Sequence, residues 1–174
     1  MDESSLLLRQ IPHSIEAEQS VLGAMLIDAR CIPDVVEALT GEDFYLKANR
    51  EIYETIYTMF NFSATIDPVT VLDQMKLTGV YDENTSRSYL LQLMEITPTA
   101  ANVLEYADIV RDKALLRRVG ETAGELTEMV RTEAGTAQQV LEAAEQKVYA
   151  VRRGQSAQDM VPLRQVLPEV LDRL

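Results

Sequence analysis

The residues of this chain that could do chemistry are few. His13 is the one histidine, set beside Pro12 with Glu16 nearby, the makings of a general base. No serine, cysteine or second histidine is patterned around it as an activated nucleophile requires. Carboxylates such as Glu16, Glu18, Asp43 and Glu51 are plentiful, but abundance does not make an acid pair, and they are expected to form a solvated face. Cys31 is the single cysteine, so no internal disulfide and no Cys/His zinc set are expected. No Gly-x-x-x-x-Gly-Lys-[Ser/Thr] phosphate loop occurs, and the nearest glycine pair, Gly120 and Gly124, lies within a helical pattern without a following lysine. That pair suits a flat patch where another helix comes close, within the chain or between subunits. Arg111, Lys113, Arg117 and Arg118 form a basic cluster, interleaved with Asp112 and followed by Glu121. Helix-surface ion pairing accounts for it, with docking of an acidic surface or contact with DNA as the functional alternative. Tyr53, Tyr57, Tyr81, Tyr89 and Tyr106 read as core or rim residues, because no basic groove accompanies most of them. No catalytic residue, metal site or cofactor follows.

Composition narrows the partners. Sixteen basic against 28 acidic residues give a net charge of −12 over 174 residues, which repels a polyanion and favours protein partners. The start, Met1-Asp2-Glu3-Ser4-Ser5, is acidic and leads into only three leucines, so neither a signal peptide nor a membrane span is expected, and the chain reads as cytosolic.

The elements that must position these residues are helical throughout. Ser14 is an N-cap, with Glu16 and Glu18 at the positive end of the helix dipole, for a helix to about Ile27 whose Ile15, Val21, Leu22, Met25 and Leu26 face a core. A second segment follows Pro33, with Val35, Val36 and Leu39 inside and Gly41 beyond. Ile52, Ile56, Met59 and Phe60 define a third. Asp67-Pro68 and Gly79 frame a fourth carrying Val71, Leu72 and Met75. After a polar loop from Asp82 to Ser88, Tyr89, Leu90, Leu93 and Met94 form a fifth that stops before Pro98. From Asn102 to about Glu133 a long helix carries Val103, Ala107, Val110, Ala114, Leu115, Val119, Leu126, Met129 and Val130. Gly135 ends it, and Thr136 with Gln139 makes a capping box for a helix to about Arg153, with Val140, Leu141, Ala144, Val148 and Val151 inward. The expected architecture is all-α: a flexible start (1–11), a multi-helix head (12–98), an antiparallel hairpin (99–153), a linker (154–162) and a truncated amphipathic helix (163–174). That last stripe, Leu163, Val166, Leu167, Val170, Leu171 and Leu174, is interrupted by Pro168 and too short to be stable alone.

Five spaced stretches carry a resemblance: Ile11-Pro12-His13-Ser14-Ile15-Glu16-Ala17-Glu18-Gln19-Ser20-Val21-Leu22-Gly23-Ala24, Glu42-Asp43-Phe44-Tyr45, Ile66-Asp67-Pro68-Val69-Thr70-Val71, Pro98-Thr99-Ala100-Ala101-Asn102 and Lys113-Ala114-Leu115-Leu116-Arg117-Arg118. Together, in this order, they resemble the start of DnaB-type replicative helicases. The resemblance implies an amino-terminal collar domain plus the beginning of a linker helix. It implies a homo-oligomer, a dimer or trimer of dimers within a six-subunit ring, that recruits the C-terminal region of primase and a helicase loader in the bacterial cytoplasm. ATP and Mg would belong to a C-terminal motor domain, and DNA would be met only through the assembled ring. Position in the motifs makes Tyr89, Gly120 and Leu126 the primase-facing candidates, Gly120 giving up apolar contact there. Val119, Gly120, Gly124, Val140, Leu141 and Val148 are the subunit-contact candidates, and the stripe from Leu163 to Leu174 would dock on a neighbouring motor domain. Rival expectations are a standalone primosome adaptor or loader-like protein, and a helical enzyme with an unrecognised carboxylate site.

Overall fold

The computed structural model describes residues 11–156. Helices α1 (Ile15–Ile27), α2 (Ile32–Ala38), α3 (Lys47–Asn61), α4 (Pro68–Thr78), α5 (Ser86–Glu95), α6 (Val103–Arg131) and α7 (Ala137–Ser156) follow one another, with 3₁₀ turns at Ala29–Cys31 and Gly41–Asp43 and no strand among the described residues. Two compact units divide at Leu116 and Arg117.

The first unit is built around α1. Ser14 caps it, its Oγ accepting from the Ala17 N–H at 3.3 Å, and eight of its 13 residues are buried. Apolar residues on every side make it a central helix rather than an amphipathic one. Around it close Ile32, Val35, Leu39, Phe44, Ile52, Ile56, Val71, Leu90 and Leu93, with Val103, Ala107 and Val110 from the start of α6. Asp67 caps α4 reciprocally with Thr70, and Gly79 ends it in the left-handed region at φ 76, where a side chain would be strained. Helix α5 begins at Ser86, inside the stretch expected to be loop, because Asp82 Oδ1 accepts from the Asn84 and Thr85 N–H groups and turns the chain into it.

Gly23 sets the spacing of α1 against α5. A methyl placed on it would lie 2.1 Å from Thr97 Oγ1 and 2.3 Å from the Leu93 carbonyl oxygen. The close approach is therefore made backbone to backbone, and the buried Thr97 hydroxyl has no hydrogen-bond partner.

In the second unit the end of α6 and α7 form a hairpin. Glu133 and Gly135 turn the chain at positive φ, and Thr136 and Gln139 form the reciprocal cap, the Thr136 N–H donating to Gln139 Oε1 at 2.9 Å and the Gln139 N–H to Thr136 Oγ1 at 3.3 Å. Lys147 Nζ reaches Glu125 Oε2 across the hairpin at 2.5 Å. Helix α7 runs on through Gly154, Gln155 and Ser156, residues whose composition reads as linker; one glycine near a helix end costs only about 1 kcal/mol.

Gly23→Ala should lower the unfolding free energy by about 1–3 kcal/mol through overpacking, despite alanine's better helix propensity. Urea denaturation reads it, and an unchanged or raised midpoint would refute the backbone contact.

Candidate functional site

Two places in the described residues are open to a partner. The first is a cleft of about 660 Å³ in the first unit, where Ile52, Met75 and Val80 are overlaid by Gln19, Glu51, Asp82 and Tyr89. Behind it runs a polar chain. Glu18, expected on a solvated face, is buried. Its Oε1 accepts from the Tyr45 N–H at 2.6 Å, and its Oε2 from the Leu46 N–H at 3.3 Å and Asn49 Nδ2 at 2.8 Å. A carboxylate from α1 thus serves as the cap that α3 lacks of its own. Asn49 Oδ1 accepts from the Tyr89 hydroxyl at 2.6 Å, and Gln19 Nε2 donates to that hydroxyl oxygen at 3.2 Å. Burial raises the Tyr89 phenol above its ordinary range.

Asp43 is likewise buried and not solvated. Its Oδ2 accepts from the Thr40 N–H at 2.8 Å and the Thr40 hydroxyl at 3.1 Å. His13 makes no base pairing with Glu16; its ring stacks on Tyr45 at 4.4 Å, with Nδ1 2.6 Å from the Ile11 carbonyl oxygen. Burial pushes the Cys31 thiol up to about 11, which keeps it unreactive. Arg111 pairs with Asp108 Oδ1 at 2.6 Å. Among the described residues no three histidine, cysteine, aspartate or glutamate side chains gather as a metal site, and no helix is long and apolar enough to cross a membrane.

The second place is the hairpin. No side chain from residue 117 to 154 is buried. Leu126, Met129 and Val130 of α6 and Ala137, Val140, Leu141 and Ala144 of α7 line an apolar groove of about 590 Å³, and Val148 and Tyr149 with Ala144 and Arg152 line another of about 420 Å³.

Leu141 and Val148, expected inward, are 55% and 57% exposed, and Val119 is 50% exposed. At about 100° per residue, Val140, Ala144, Lys147 and Val151 share one stripe of α7, the half-buried one, while Leu141 and Val148 stand roughly a quarter-turn round from it. Among the described residues nothing lies within 4 Å of a methyl placed on Gly120 or Gly124, so no described helix approaches there as the intramolecular form of that expectation requires. Of the three primase-facing candidates, Tyr89 lies in the first unit, and Gly120 and Leu126 in the second. The candidates from Leu163 to Leu174 lie outside the described residues. Glu18, Asn49, Gln19 and Gly23 were missed; the helical spacing that puts Glu18 among buried positions was the available signal.

The head packs a core of its own, while among the described residues the apolar faces of the hairpin are uncovered. The family model for the DnaB-like helicase N-terminal domain matches residues 10–112, and the chain belongs to that family. It is 34% identical over 166 residues to the replicative DNA helicase DnaB of Leifsonia xyli subsp. xyli, covering 95% of this chain but only 36% of that relative. The N-terminal domain of DnaB helicase from Mycobacterium tuberculosis superposes with a TM-score of 0.75 at 37% identity, covering 82% of this chain and 99% of that one. The N-terminal domain of DnaB helicase from Helicobacter pylori, a structure described with its interactions with primase, shares the fold at a TM-score of 0.58 and 19% identity, over 75% of this chain and 99% of that one.

Glu18→Ala would strand one buried donor, Asn49 Nδ2, and two partly buried backbone N–H groups, and the head should lose about 3 kcal/mol, since hydrogen bonds to a charged group are worth about 1.5–3 kcal/mol each. Thermal melting tests it; a loss below about 1 kcal/mol would deny the capping role. Tyr53 supplies a pH test. It is buried, its hydroxyl donates to the Leu39 carbonyl at 2.5 Å, and burial first, then the neighbouring Tyr57 and Asp43, raises its phenol. An acid whose folded pKa is raised contributes stability that is complete below its unfolded pKa of about 10 and is lost as pH climbs past it. The melting temperature should therefore fall above about pH 10, and fall less in Tyr53→Phe than in the parent.

Proposed function

We propose that this chain is the non-catalytic collar of a replicative DNA helicase, acting by assembly and recruitment. The observation that carries this reading is the hairpin without a core. Helices α6 and α7 have 29 and 20 residues, and yet nothing from 117 to 154 is buried. Exposed apolar surface of that continuity marks an interaction site. Its cover is a second copy, with Val119, Gly120 and Gly124 of α6 and Leu141 and Val148 of α7 at the contact and Val140 beneath it. Dimers or trimers of dimers so formed would set the symmetry of a six-subunit ring in the bacterial cytoplasm. The collar recruits the C-terminal region of primase, with Tyr89, Gly120 and Leu126 as its contacts, and responds to a helicase loader. The stripe from Leu163 to Leu174 passes collar geometry to a neighbouring motor domain.

This sequence has no phosphate loop, so its residues do not fit ATP or Mg. That chemistry, and DNA contact, belong to the remaining length of the DnaB relatives.

Sedimentation equilibrium of the chain, alone and with a primase C-terminal domain, tests the reading. Dimers or larger species are expected, reverting to monomer in Leu141→Glu/Val148→Glu with the thermal transition of the head unchanged and helicity lost only from the hairpin. A strict monomer at high concentration contradicts it. The glycine pair adds a sharper test. In the monomeric background Gly120→Ala and Gly124→Ala should each stabilise by up to about 1 kcal/mol, and in the parent they should weaken assembly; unaltered assembly removes these glycines from the contact.

A further inference from the structure

The buried chain behind the cleft fixes which partner chemistry the cleft accepts. All three groups bonded to Glu18 are N–H donors, so both of its oxygens accept. Asn49 must turn Nδ2 toward it and present Oδ1 to Tyr89. The Tyr89 hydroxyl therefore spends its one hydrogen on Asn49 and keeps only lone pairs. One of these takes Gln19 Nε2, which leaves Gln19 Oε1 as an acceptor as well. The hydroxyl hydrogens of Ser88 and Thr85 are likewise spent, on the Thr85 carbonyl and Asp82 Oδ1. The wall is thus rich in acceptors.

Charge points the same way. Glu51 and Asp82 are the carboxylates of the lining, and Asp82 is held below the usual carboxylate range by the Asn84 and Thr85 groups bonded to it. Lys47 and the Gln92 amide are donors at the rim, but the Lys47 side chain is 88% exposed and pairs with Glu51 at 3.4 Å. Beneath lie Met75, Val80 and Ile52, an apolar floor.

We propose that this cleft is a receptor for an arginine side chain carried by a protein partner, the alkyl stem on Met75 and Val80 and the guanidinium on Tyr89 Oη, Gln19 Oε1 and the Glu51 and Asp82 carboxylates. Arginine suits it better than lysine, because a planar fork of five donors engages several acceptors at once. The proposal rests on the reading of this chain as a recruiting domain.

The probe is N-acetyl-arginine methylamide, titrated into the full chain and followed by amide NMR shifts. Saturable shifts at residues 47–52 and 85–92 are expected, with the uncharged citrulline analogue about tenfold weaker. Glu51→Gln, at a half-buried rim position, should weaken the arginine probe several-fold with little change in melting temperature, and Tyr89→Phe should weaken it as well while lowering the melting temperature, because Asn49 Oδ1 loses its donor. Equal binding of citrulline, preference for an N-acetyl-glutamate probe, or shifts scattered over the acidic surface would each overturn the proposal. Diffusion measured in the same samples separates the two readings. A monomer that binds arginine defeats the assembly reading alone, and an assembled species indifferent to arginine defeats this one alone.

Discussion

Apolar surface has to be covered, and the two units of this chain meet that constraint differently. In the first, α1 disappears among its neighbours, and side chains as large as Phe44, Tyr53 and Leu22 are wholly withdrawn from water. At about 25 cal/mol per Å² of apolar area, such burial is the term that offsets chain entropy. The hairpin has no comparable term. Its cross-strut, Lys147 to Glu125, joins side chains that are 40% and 59% exposed, and such a pair is worth about 0–1 kcal/mol. Helix propensity and caps contribute little beside it, since most helical stability in proteins comes from tertiary packing of an apolar face. On the proposed reading a partner surface supplies the rest, and a deficit in folding becomes a mechanism for assembly.

Within the head, Glu18 connects burial to recognition. The carboxylate ends the loop before α3 and orders Asn49, and through Asn49 and Tyr89 it decides that the cleft presents oxygen lone pairs. Burying it is tolerable because three N–H groups replace its hydration. The same low-dielectric setting that makes it costly to leave unpaired makes its direction of bonding unambiguous.

Local rules of helix construction were plain in the amino-acid order. Ser14, the Asp67-Pro68 to Gly79 frame and the Thr136/Gln139 box each act through neighbours three or four residues away, so their outcome needs no knowledge of tertiary contacts. Gly23 and Glu18 were hidden because their partners, Thr97 and Leu93 for one and Tyr45 to Asn49 for the other, are remote in sequence. Charged-residue abundance argued for solvent where Glu18 and Asp43 are buried. Leu141 and Val148 were misassigned for a different reason: a helix with apolar residues over a wide arc satisfies an inward stripe and an outward one equally, and only the neighbouring helix decides between them. The resemblance located the family; it did not locate the cleft.

On the proposed reading the hairpin borrows its stability from another polypeptide. Amide hydrogen exchange followed across a range of protein concentrations measures that directly. Protection of amides in residues 117–156 should rise with concentration while protection around α1 stays constant, because mass action stabilises only what the partner covers. Hairpin protection that is already strong at the lowest concentration and does not change would contradict it.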